Sequence, residues 1–419
     1  MKFYSLSSKN HNYEKYFLYR KVLNGHEDSV YAMEISPKGS YLATGGEDRK
    51  IMLTDCYNFT KEFIETPHTE SLTGVKIENE FTLISTGSDG QTNIYDLNSN
   101  SCVRSYLTSG YNYKVDCDFN SNLIGVSNSN SLVFYDKLIP THRSVVKIKL
   151  ESSTAARMEF RPNYYTATNF IIANNDTDGT HLDLYDLRNY KKPLFSYSVS
   201  NISHFGISDA VFDSNGHHIL VTAHCGGPYL YSVKRSKLKM KFEVAHFRNL
   251  VTYKSFKFGG PDDSYVLGGF DDKKVCYWKI KNNDKWERLY NKEKIPKSPL
   301  DRIEEMDANL SEENQQKEYN YSYTMCSVHL SKLSKFYLNN TKHMQLNGFR
   351  SVVNRAVMHP TIPRIFAGGV ENALYAFSPF DMGNNEDVVY NEETIDIIEE
   401  IAKEAYENYK KIDRYYMLN

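Results

Sequence analysis

Paired acidic residues and paired histidines are the residues of this chain whose spacing comes nearest to that of a reactive site. Asp262-Asp263 and Asp271-Asp272 place two carboxylates side by side, and His217-His218 places two imidazoles side by side. Each acidic pair is explained by turn chemistry, in which aspartate binds the local backbone. The histidine pair lies in a Ser-Asn-Gly turn, and no cysteine or second histidine stands at zinc-ligand spacing from it. We therefore predict turn and surface residues here, with no catalytic residue and no metal ligand.

Three glycine pairs, Gly45-Gly46, Gly268-Gly269 and Gly368-Gly369, are candidates for a phosphate-binding loop. Each pair precedes a strand pattern rather than a helix, so the helix N-terminus that binds phosphate is missing. We interpret them as turns and predict no cofactor. An enzyme would need a site that none of these motifs reveals.

Composition argues against several classes of partner. The near balance of 50 basic and 52 acidic side chains predicts no strong attraction to nucleic acid or to an anionic membrane. Residues 1–8 lack the apolar core of a signal peptide, and no apolar run approaches the ~20 residues needed to cross a bilayer. The cysteines show neither paired nor metal-ligand spacing, which favours a reduced compartment, the cytoplasm or the nucleus. They are Cys56, Cys102, Cys117, Cys225, Cys276 and Cys326.

One segment, Val22 to Asp55, contains a series of strand and turn signals that returns later in the chain. Apolar and polar residues alternate in its strands, and Gly, Pro, Ser and Asp mark its turns. In order, its parts are Gly25-His26, a strand from Val30 to Ile35, the turn Ser36-Pro37-Lys38-Gly39, a strand from Tyr41 to Thr44, a tight turn containing Asp48, and a strand from Ile51 to Thr54. The segment resembles one blade of a WD-repeat β-propeller.

In WD-repeat blades, the turn aspartate and the opening histidine form a buried hydrogen-bonded link to a tryptophan of the third strand. His26 and Asp48 take the first two positions in the first copy, and Thr54 stands where the tryptophan is expected. The sixth copy is the most complete, with His246, Thr252, Asp272 and Trp278 all present. Aromatic residues replace tryptophan almost everywhere else. The recurring turn and anchor positions are Asp89/Tyr95, Ser129/Tyr135, Gly179/Tyr185, Cys225/Tyr231, Asp272/Trp278 and Glu371/Phe377.

These copies predict an all-β fold, a seven-bladed WD-repeat β-propeller spanning residues 16–380. The last copy lacks a fourth strand, and we expect Tyr16 to Leu23 to supply it and so close the ring, because an uncovered edge strand invites aggregation. The long interval between the last two anchors is assigned to a polar insertion, residues 282–320, between blades six and seven. The alternative is that Tyr321 to Leu330, within residues 321–346, forms an extra strand pair or an eighth blade.

The fourth copy ends in Tyr185-Asp186-Leu187-Arg188, an ending that no other copy shares. Strand alternation separates Tyr185 from Asp186 and Arg188, so that Arg188 can project from one face of the ring. The aromatic-Asp-x-Arg ending resembles the motif by which WD-repeat substrate receptors dock onto the adaptor of the cullin-4 RING ubiquitin ligases. The resemblance implies that Tyr185, Asp186 and Arg188 bind the adaptor.

Two longer stretches, His246 to Ile280 and Gly348 to Phe380, resemble the last two blades of the cullin-4-associated WD-repeat factors. A polar insertion between those blades is also similar to that family. The chain departs from the family pattern at Phe349, at Phe377, and at Thr222 to Pro228, where a more basic run is expected. The last departure affects any inherited substrate preference more than adaptor docking.

The C-terminal tail changes to a helical period, which predicts an α-helix over residues 391–417. Asn391 can cap this helix, and Glu392 and Glu393 suit the positive end of its dipole. The helix either packs against its own propeller or binds a partner. The residues of its apolar face are Ile395, Ile398, Ala402, Ala405, Tyr409, Ile412 and Tyr416.

The sequence as a whole predicts a non-enzymatic interaction scaffold. By resemblance it is a substrate receptor of a cullin-4 RING ubiquitin ligase, with the adaptor and cullin-4 as partners and an unknown protein as substrate. The alternative is a general WD-repeat scaffold of another intracellular assembly, with no link to a ligase.

Overall fold

The computed structural model of the 419-residue chain describes thirteen stretches. These are residues 17, 19–129, 131–139, 143–150, 157–162, 168–176, 179–197, 199, 206–224, 227–234, 237–242, 249–280 and 343–383. The chain divides into two units, one formed by residues 1–279 with 342–419 and the other by residues 280–341. Apart from Ile280, the second unit lies outside the described residues, as does the predicted C-terminal helix.

The described residues of the first unit form seven four-stranded antiparallel sheets, which confirms the predicted seven-bladed β-propeller. Within each sheet the strands are paired in chain order, apart from the strand that closes the ring. Blades one to three contain β2 (Val30–Ile35), β3 (Tyr41–Gly46), β4 (Ile51–Asp55) and β5 (Lys61–Ile64); β6 (Leu72–Asn79), β7 (Thr82–Gly87), β8 (Gln91–Asp96) and β9 (Ser101–Leu107); and β10 (Asn112–Cys117), β11 (Leu123–Asn128), β12 (Ser131–Asp136) and β13 (Val146–Lys149).

The remaining blades follow the same plan. Blades four and five contain β14 (Arg157–Phe160), β15 (Asn169–Asp176), β16 (Gly179–Asp186) and β17 (Phe195–Tyr197), then β18 (Ile207–Phe212), β19 (His218–Ala223), β20 (Pro228–Ser232) and β21 (Lys237–Lys241). Blades six and seven contain β22 (Lys257–Gly259), β23 (Tyr265–Gly269), β24 (Val275–Lys279) and β25 (Met344–Leu346), then β26 (Val353–Met358), β27 (Ile365–Gly369), β28 (Leu374–Ser378) and β1 (Tyr19–Leu23).

The third strand of every blade holds its predicted anchor residue at the same register. Each anchor pairs with the residue at the same position of the second strand, so the alignment of the seven copies agrees with the strand pairing. The pairs are Leu42↔Thr54, Leu83↔Tyr95, Ile124↔Tyr135, Phe170↔Tyr185, Ile219↔Tyr231, Val266↔Trp278 and Ile365↔Phe377.

The N-terminal strand closes the ring, as predicted. β1 pairs with β28 from Tyr19↔Ser378 to Leu23↔Leu374 and becomes the outer strand of blade seven. Val22 and Leu23 are buried in this position. The first and last repeats are therefore joined in one sheet, which leaves the edge of β28 covered.

The insertion interrupts blade six, which corrects its predicted place between blades six and seven. β24 pairs with β25, so the third and fourth strands of this blade flank residues 280–343. The error arose because the fourth strand has only three residues, Met344–Leu346, too few for a visible alternation. The stretch proposed as an alternative eighth blade lies outside the described residues.

The hydrophobic core consists of layers between neighbouring blades. Leu267 and Tyr277 of blade six pack with Val353 and Tyr375 of blade seven. Similar layers join blades one to two, two to three, three to four, four to five, and seven to one. Each blade therefore buries its faces only against its neighbours, so closure of the ring completes the core. Among the described residues, none of the helices meets the length and apolarity required to span a bilayer.

The glycine pairs at the ends of second strands are packing positions. A Cβ at Gly46 would lie 1.9 Å from the carbonyl oxygen of Ser29, and a Cβ at Gly369 would lie 1.9 Å from that of Val352. Only glycine allows the preceding loop to approach the strand so closely.

Candidate functional site

The turn network of blade one joins its opening histidine and turn aspartate to a hydroxyl of the second strand. His26 Nδ1 lies 2.8 Å from Asp48 Oδ2, and its Nε2 lies 2.8 Å from the hydroxyl of Thr44. Burial alone would raise the pKa of Asp48, but hydrogen bonding from His26 lowers this pKa below its usual value. Thr54, at the tryptophan position, is buried, and its hydroxyl has no partner within the described part of the chain. The network therefore reaches the third strand through its backbone, because the hydroxyl of Thr44 donates to the carbonyl oxygen of Met52 at 3.3 Å, and not through the side chain of Thr54.

Blade two contains the full link from turn to third strand. His68 Nδ1 lies 3.1 Å from Asp89, His68 Nε2 lies 2.7 Å from the hydroxyl of Ser85, and Ser85 donates to the hydroxyl of Tyr95 at 3.2 Å. Tyrosine thus replaces tryptophan without loss of the hydrogen bond. His68 was not predicted from the sequence, although it precedes Asp89 by 21 residues and His26 precedes Asp48 by 22. That spacing was the available signal.

Blade six differs from the prediction at its turn aspartate. The buried carboxylate belongs to Asp271, which accepts a hydrogen bond from the backbone N–H of Leu250 at 2.7 Å and forms an ion pair with buried Lys254. Asp272 is instead 44% exposed and lies against Lys274. The assignment of Asp272 to the blade network is therefore wrong, because neighbouring residues of a turn point in different directions.

Trp278 is fully buried but is not linked to a hydroxyl. Its ring packs against Phe242 and Phe256, and its Nε1 has no hydrogen-bond partner among the described residues. The second-strand position that holds Thr44 in blade one is Gly268 here, since Gly268 pairs with Cys276 as Thr44 pairs with Met52. A hydroxyl is consequently missing from that position.

The other two predicted members of the sixth network have different outcomes. Thr252 donates to Asn354 Oδ1 at 2.5 Å and so joins blade six to blade seven. His246 lies outside the described residues.

The predicted adaptor-binding residues lie in a turn that recurs in four blades. An aspartate ends the third strand in each, and its side chain accepts the backbone N–H two residues later, at 2.7 to 2.9 Å. The aspartates are Asp55, Asp96, Asp136 and Asp186, and the residues that follow them by two are Tyr57, Asn98, Leu138 and Arg188. Of these four turns, only that of blade four therefore has a cationic side chain at this position.

Arg188 is held by Asp186 and presented to solvent. Its Nε lies 3.0 Å from Asp186 Oδ1, and its Nη2 lies 2.6 Å from Oδ2, so the guanidinium forms a two-pronged ion pair. The Arg188 side chain is 67% exposed, whereas that of Asp186 is nearly buried. Hydrogen bonding from Arg188 lowers the pKa of Asp186 from its usual value. Tyr185 stacks on Phe170 at 5.6 Å, which fixes the end of the strand beneath this pair.

Exposed apolar side chains accompany Arg188. Leu194 and Phe195, at the start of the outer strand of blade four, are exposed. Leu138 and Ile139, in the equivalent turn of neighbouring blade three, are exposed as well. Arginine is among the residues that most often dominate protein–protein binding energy, and surrounding apolar side chains can exclude water from such a contact. We call Arg188, Leu194, Phe195, Leu138 and Ile139 the third-strand-end surface.

A second concentration of charge lines the central channel. The innermost strands of five blades carry a charged residue at one register position. These residues are Glu34, Lys76, Asp116, Glu159 and Lys257. Lys257 of blade six contacts Glu34 of blade one at 3.2 Å, an ion pair between blades that are not neighbours. Side chains of blades six and one therefore meet inside the channel, past blade seven.

Each channel lysine is paired. Lys76 contacts both Glu34 and Asp116 at 3.3 and 3.1 Å, and Lys114 contacts both Glu159 and Asp209 at 2.8 and 2.9 Å. Burial alone would raise the pKa of Glu34, but Lys257 and Lys76 lower this pKa to about 2. Lys114 and Arg355 likewise lower the pKa of Asp209 to about 2, against the effect of burial, so Glu34 and Asp209 remain ionised.

The two arginines of the channel differ from its lysines. Arg157 is 6% exposed, and its guanidinium lies between the rings of Tyr113 and Tyr253, with centroids at 4.6 and 4.9 Å. Its Nη1 is buried and has no hydrogen-bond partner among the described residues. Arg355 donates from Nε to the carbonyl oxygen of Tyr31 at 2.8 Å. Within the described part of the chain, neither arginine forms an ion pair, although burial lowers the pKa of each.

The remaining sequence candidates supply no catalytic arrangement. His217 is exposed and His218 contacts Asp213 at 2.8 Å, while Asp262 and Asp263 lie in a short 3₁₀ turn, Pro261–Asp263. The described residues contain no cluster of His, Cys, Asp and Glu suited to a metal ion. Four cysteines, Cys56, Cys102, Cys117 and Cys276, are free thiols.

The closed ring of seven four-stranded blades, with turn networks around His26 and His68, defines the class of this protein: a seven-bladed WD-repeat β-propeller. Such propellers generally act as interaction scaffolds. Residues 18–55 match the family described as WD domain, G-beta repeat. The matched segment covers β1 to β4, which is the repeat first recognised in the sequence.

Within that class, the chain is similar to DDB1- and CUL4-associated factor 5. The Mus musculus protein is 24% identical over 283 residues, a match that covers 63% of this chain and 28% of the relative. The Homo sapiens protein gives the same identity and coverage. The chain thus matches little more than a quarter of the length of these relatives. The resemblance to cullin-4-associated WD-repeat factors expected from the sequence is confirmed as a resemblance.

Proposed function

We propose that this propeller is a substrate receptor of a cullin-4 RING ubiquitin ligase and that it binds the adaptor through the third-strand-end surface. Catalysis belongs to the ligase, and the propeller holds a protein substrate near it, which raises the effective concentration of the substrate. The observation that carries the proposal is the turn of blade four, in which Asp186 orients the exposed Arg188. The similarity to relatives named for their association with DDB1 and CUL4 supports it.

The geometry of Arg188 suits a residue that binds a partner protein. Its guanidinium is already ordered by Asp186, so binding costs less side-chain entropy than it would for a mobile arginine. Leu194 and Phe195, at the start of the strand that pairs with β16, are exposed and can exclude water from the contact. The backbone bond of Asp186 recurs in blades one to three and therefore serves the turn, while Arg188 is the specific element.

The test is capture of purified DDB1 by the immobilised chain. Replacement of Arg188 by Ala is expected to weaken capture by about 2 kcal/mol, the scale of a binding hot spot. The matched control is Asn98→Ala, because Asn98 occupies the same position in the turn of blade two and bonds to Asp96 in the same way. The control variant should capture DDB1 as well as the unaltered chain, and both variants should keep the thermal midpoint of unfolding.

Equal capture by the Arg188→Ala variant would remove Arg188 from the interface. Failure of the unaltered chain to bind DDB1, with specific partners of another kind recovered from cells, would instead support a WD-repeat scaffold outside the ligase.

A further inference from the structure

The two arginine sites lie at opposite ends of blade four. β14 and β16 run in the same direction, because each is antiparallel to β15 between them. Arg157 is the first residue of β14, and Arg188 follows the last residue of β16 by two. The channel mouth at Arg157 therefore belongs to the ring face opposite the proposed adaptor surface.

Arg157 is a buried charge without an ion pair among the described residues, which is energetically unfavourable. A buried charge is costly unless it is paired, and each lysine of the channel contacts one or two carboxylates. Arg157 instead lies over two tyrosine rings, which stabilise a cation. The negative charge of Asp209 also acts on it, although the two side chains form no ion pair within the described residues. Its buried Nη1 has no acceptor in the described residues, and such orphaned donors are rare in native proteins.

The charged side chains that line the channel carry an excess of one positive charge. The lining contains five basic and four acidic side chains, and the arginines are the two basic residues without an ion pair among the described residues. The basic residues are Lys76, Lys114, Arg157, Lys257 and Arg355; the acidic ones are Glu34, Asp116, Glu159 and Asp209. An anionic group is thus the missing partner.

The shape of the mouth limits what this anionic group can be. The cavity there has a volume of about 40 Å³, enough for a carboxylate, since one water needs about 10–15 Å³. Tyr253, beside Arg157, is 53% exposed, and its ring lies 6.4 Å from that of His224. A small cavity next to the Arg157 guanidinium, with the exposed ring of Tyr253 beside it, suits a peptide. One acidic side chain of the peptide can enter the cavity while the neighbouring residues pack on Tyr253. A nucleic-acid strand would need a continuous basic groove, whereas this channel alternates in charge.

We propose that this mouth of the central channel binds an acidic peptide segment of a protein partner, whose carboxylate accepts hydrogen bonds from the guanidinium of Arg157. The rings of Tyr113 and Tyr253 lie against the guanidinium, and Arg157 lines the cavity together with Tyr113. Identification of this partner as the ubiquitination substrate rests on the proposed function; binding of the peptide does not.

The direct test is fluorescence anisotropy with labelled hexaglutamate, at physiological salt. Replacement of Arg157 by Met should weaken hexaglutamate binding by about tenfold or more, as expected for loss of a charge-assisted contact. Labelled hexaglutamine and octathymidylate are the matched controls, and inorganic phosphate and acetate are added as competitors. Hexaglutamate should bind more tightly than either control and should resist displacement by millimolar phosphate or acetate.

Stability supplies a second readout. Because Arg157 is buried without an ion pair, Arg157→Met should leave the thermal midpoint unchanged or raise it. Lys254→Met is the paired control: it strands the buried carboxylate of Asp271 and should lower the midpoint. Tyr253→Ser removes the exposed ring that lies against the Arg157 guanidinium. It should weaken hexaglutamate binding several-fold in a folded protein.

Undiminished hexaglutamate binding in Arg157→Met, or in Tyr253→Ser if the first variant does not fold, would overturn the proposal. Equal binding of hexaglutamine, tighter binding of octathymidylate, or full displacement by millimolar phosphate would each overturn the assignment to an acidic peptide. The proposed adaptor site is tested independently, because Arg157→Met should keep DDB1 capture and Arg188→Ala should keep hexaglutamate binding.

Discussion

Buried polar side chains of this propeller differ in how many of their hydrogen-bond partners are present. His68 connects Asp89, Ser85 and Tyr95, and His26 connects Asp48 and Thr44, but Trp278 meets Gly268 where a hydroxyl is expected. The anchor position of the repeat therefore accepts a hydrogen bond in blade two, at Tyr95, and is a purely apolar anchor in blade six. Burial of Trp278 between Phe242 and Phe256 replaces the missing bond by packing.

Replacement of His68 by Ala tests the network that the sequence analysis missed. The change leaves Asp89 and Ser85 buried without their shared partner, so we expect the free energy of unfolding to fall by about 1–3 kcal/mol. Urea unfolding measures the change. His217→Ala is the control, since its side chain is exposed, and should stay within about 0.5 kcal/mol of the unaltered protein. An equal effect in both variants would show that the network adds no stability.

The anchors and the turn aspartates were largely predictable from spacing, because each repeat presents them at a fixed distance. The choice between Asp271 and Asp272 was not. Both satisfy the same pattern to within one residue, and the inward position was decided by Lys254, which needs a carboxylate within the core.

Among the elements, β1 is the one that joins the two ends of the propeller. Its outer end is exposed at Tyr19, whereas Val22 and Leu23 enter the core against blade seven. The missing fourth strand of the last repeat predicted both this strand and its partner. The three-residue β25 was not predictable, since its pairing with β24 is made across about sixty intervening residues.

Two substitutions within β1 test whether burial of this strand in the last sheet is needed to close the ring. Val22→Asp buries a charge in the last sheet and should destabilise the protein by about 3 kcal/mol or more. Tyr19→Asp alters an exposed position of the same strand and should change stability little. Thermal unfolding and size-exclusion chromatography should show a lower midpoint and aggregation for the first variant only. Similar midpoints for both would contradict a closing role for β1.

At the scale of the whole molecule, the junction of blades seven and one is held by side chains as well as by β1. Asn354 donates to the carbonyl oxygen of Val30 at 2.9 Å, and Asn372 donates to that of His26 at 3.1 Å. His359 Nε2 lies 2.7 Å from the carbonyl oxygen of Gly39, so this nitrogen donates. Its Nδ1 accepts the backbone N–H of Thr361 and Ile362, each at 3.1 Å. The imidazole therefore has to be neutral to satisfy all of these bonds.

Acidification should accordingly weaken the ring. Burial lowers the pKa of His359, with Arg364 acting in the same direction. The unfolded chain then binds a proton near pH 6.5 that the folded chain does not, so stability is present above that pH and is lost as the pH falls below it. Each pH unit costs at most about 1.4 kcal/mol for this group. Urea unfolding at pH 7.5 and 5.5 measures the loss.

The control for this pH dependence is His359→Gln. This variant should be less stable at pH 7.5 but should lose less stability between pH 7.5 and 5.5 than the unaltered protein. Equal losses in the two proteins would assign the pH dependence to other groups. His68 and His224, whose pKa values are also lowered by burial, would then be the next candidates.

By itself, the sequence determined the repeat, the number of blades, the anchor positions, the closing strand and the distinctive Arg188 ending. All of these depend on local periodicity or on residues close together in the chain. Only the tertiary structure decided that Asp271 points inward, that the insertion lies within blade six, and that Arg157 lies between Tyr113 and Tyr253. The physical reason is that a propeller brings the innermost strands of all its blades to one axis, so residues far apart in sequence become neighbours there.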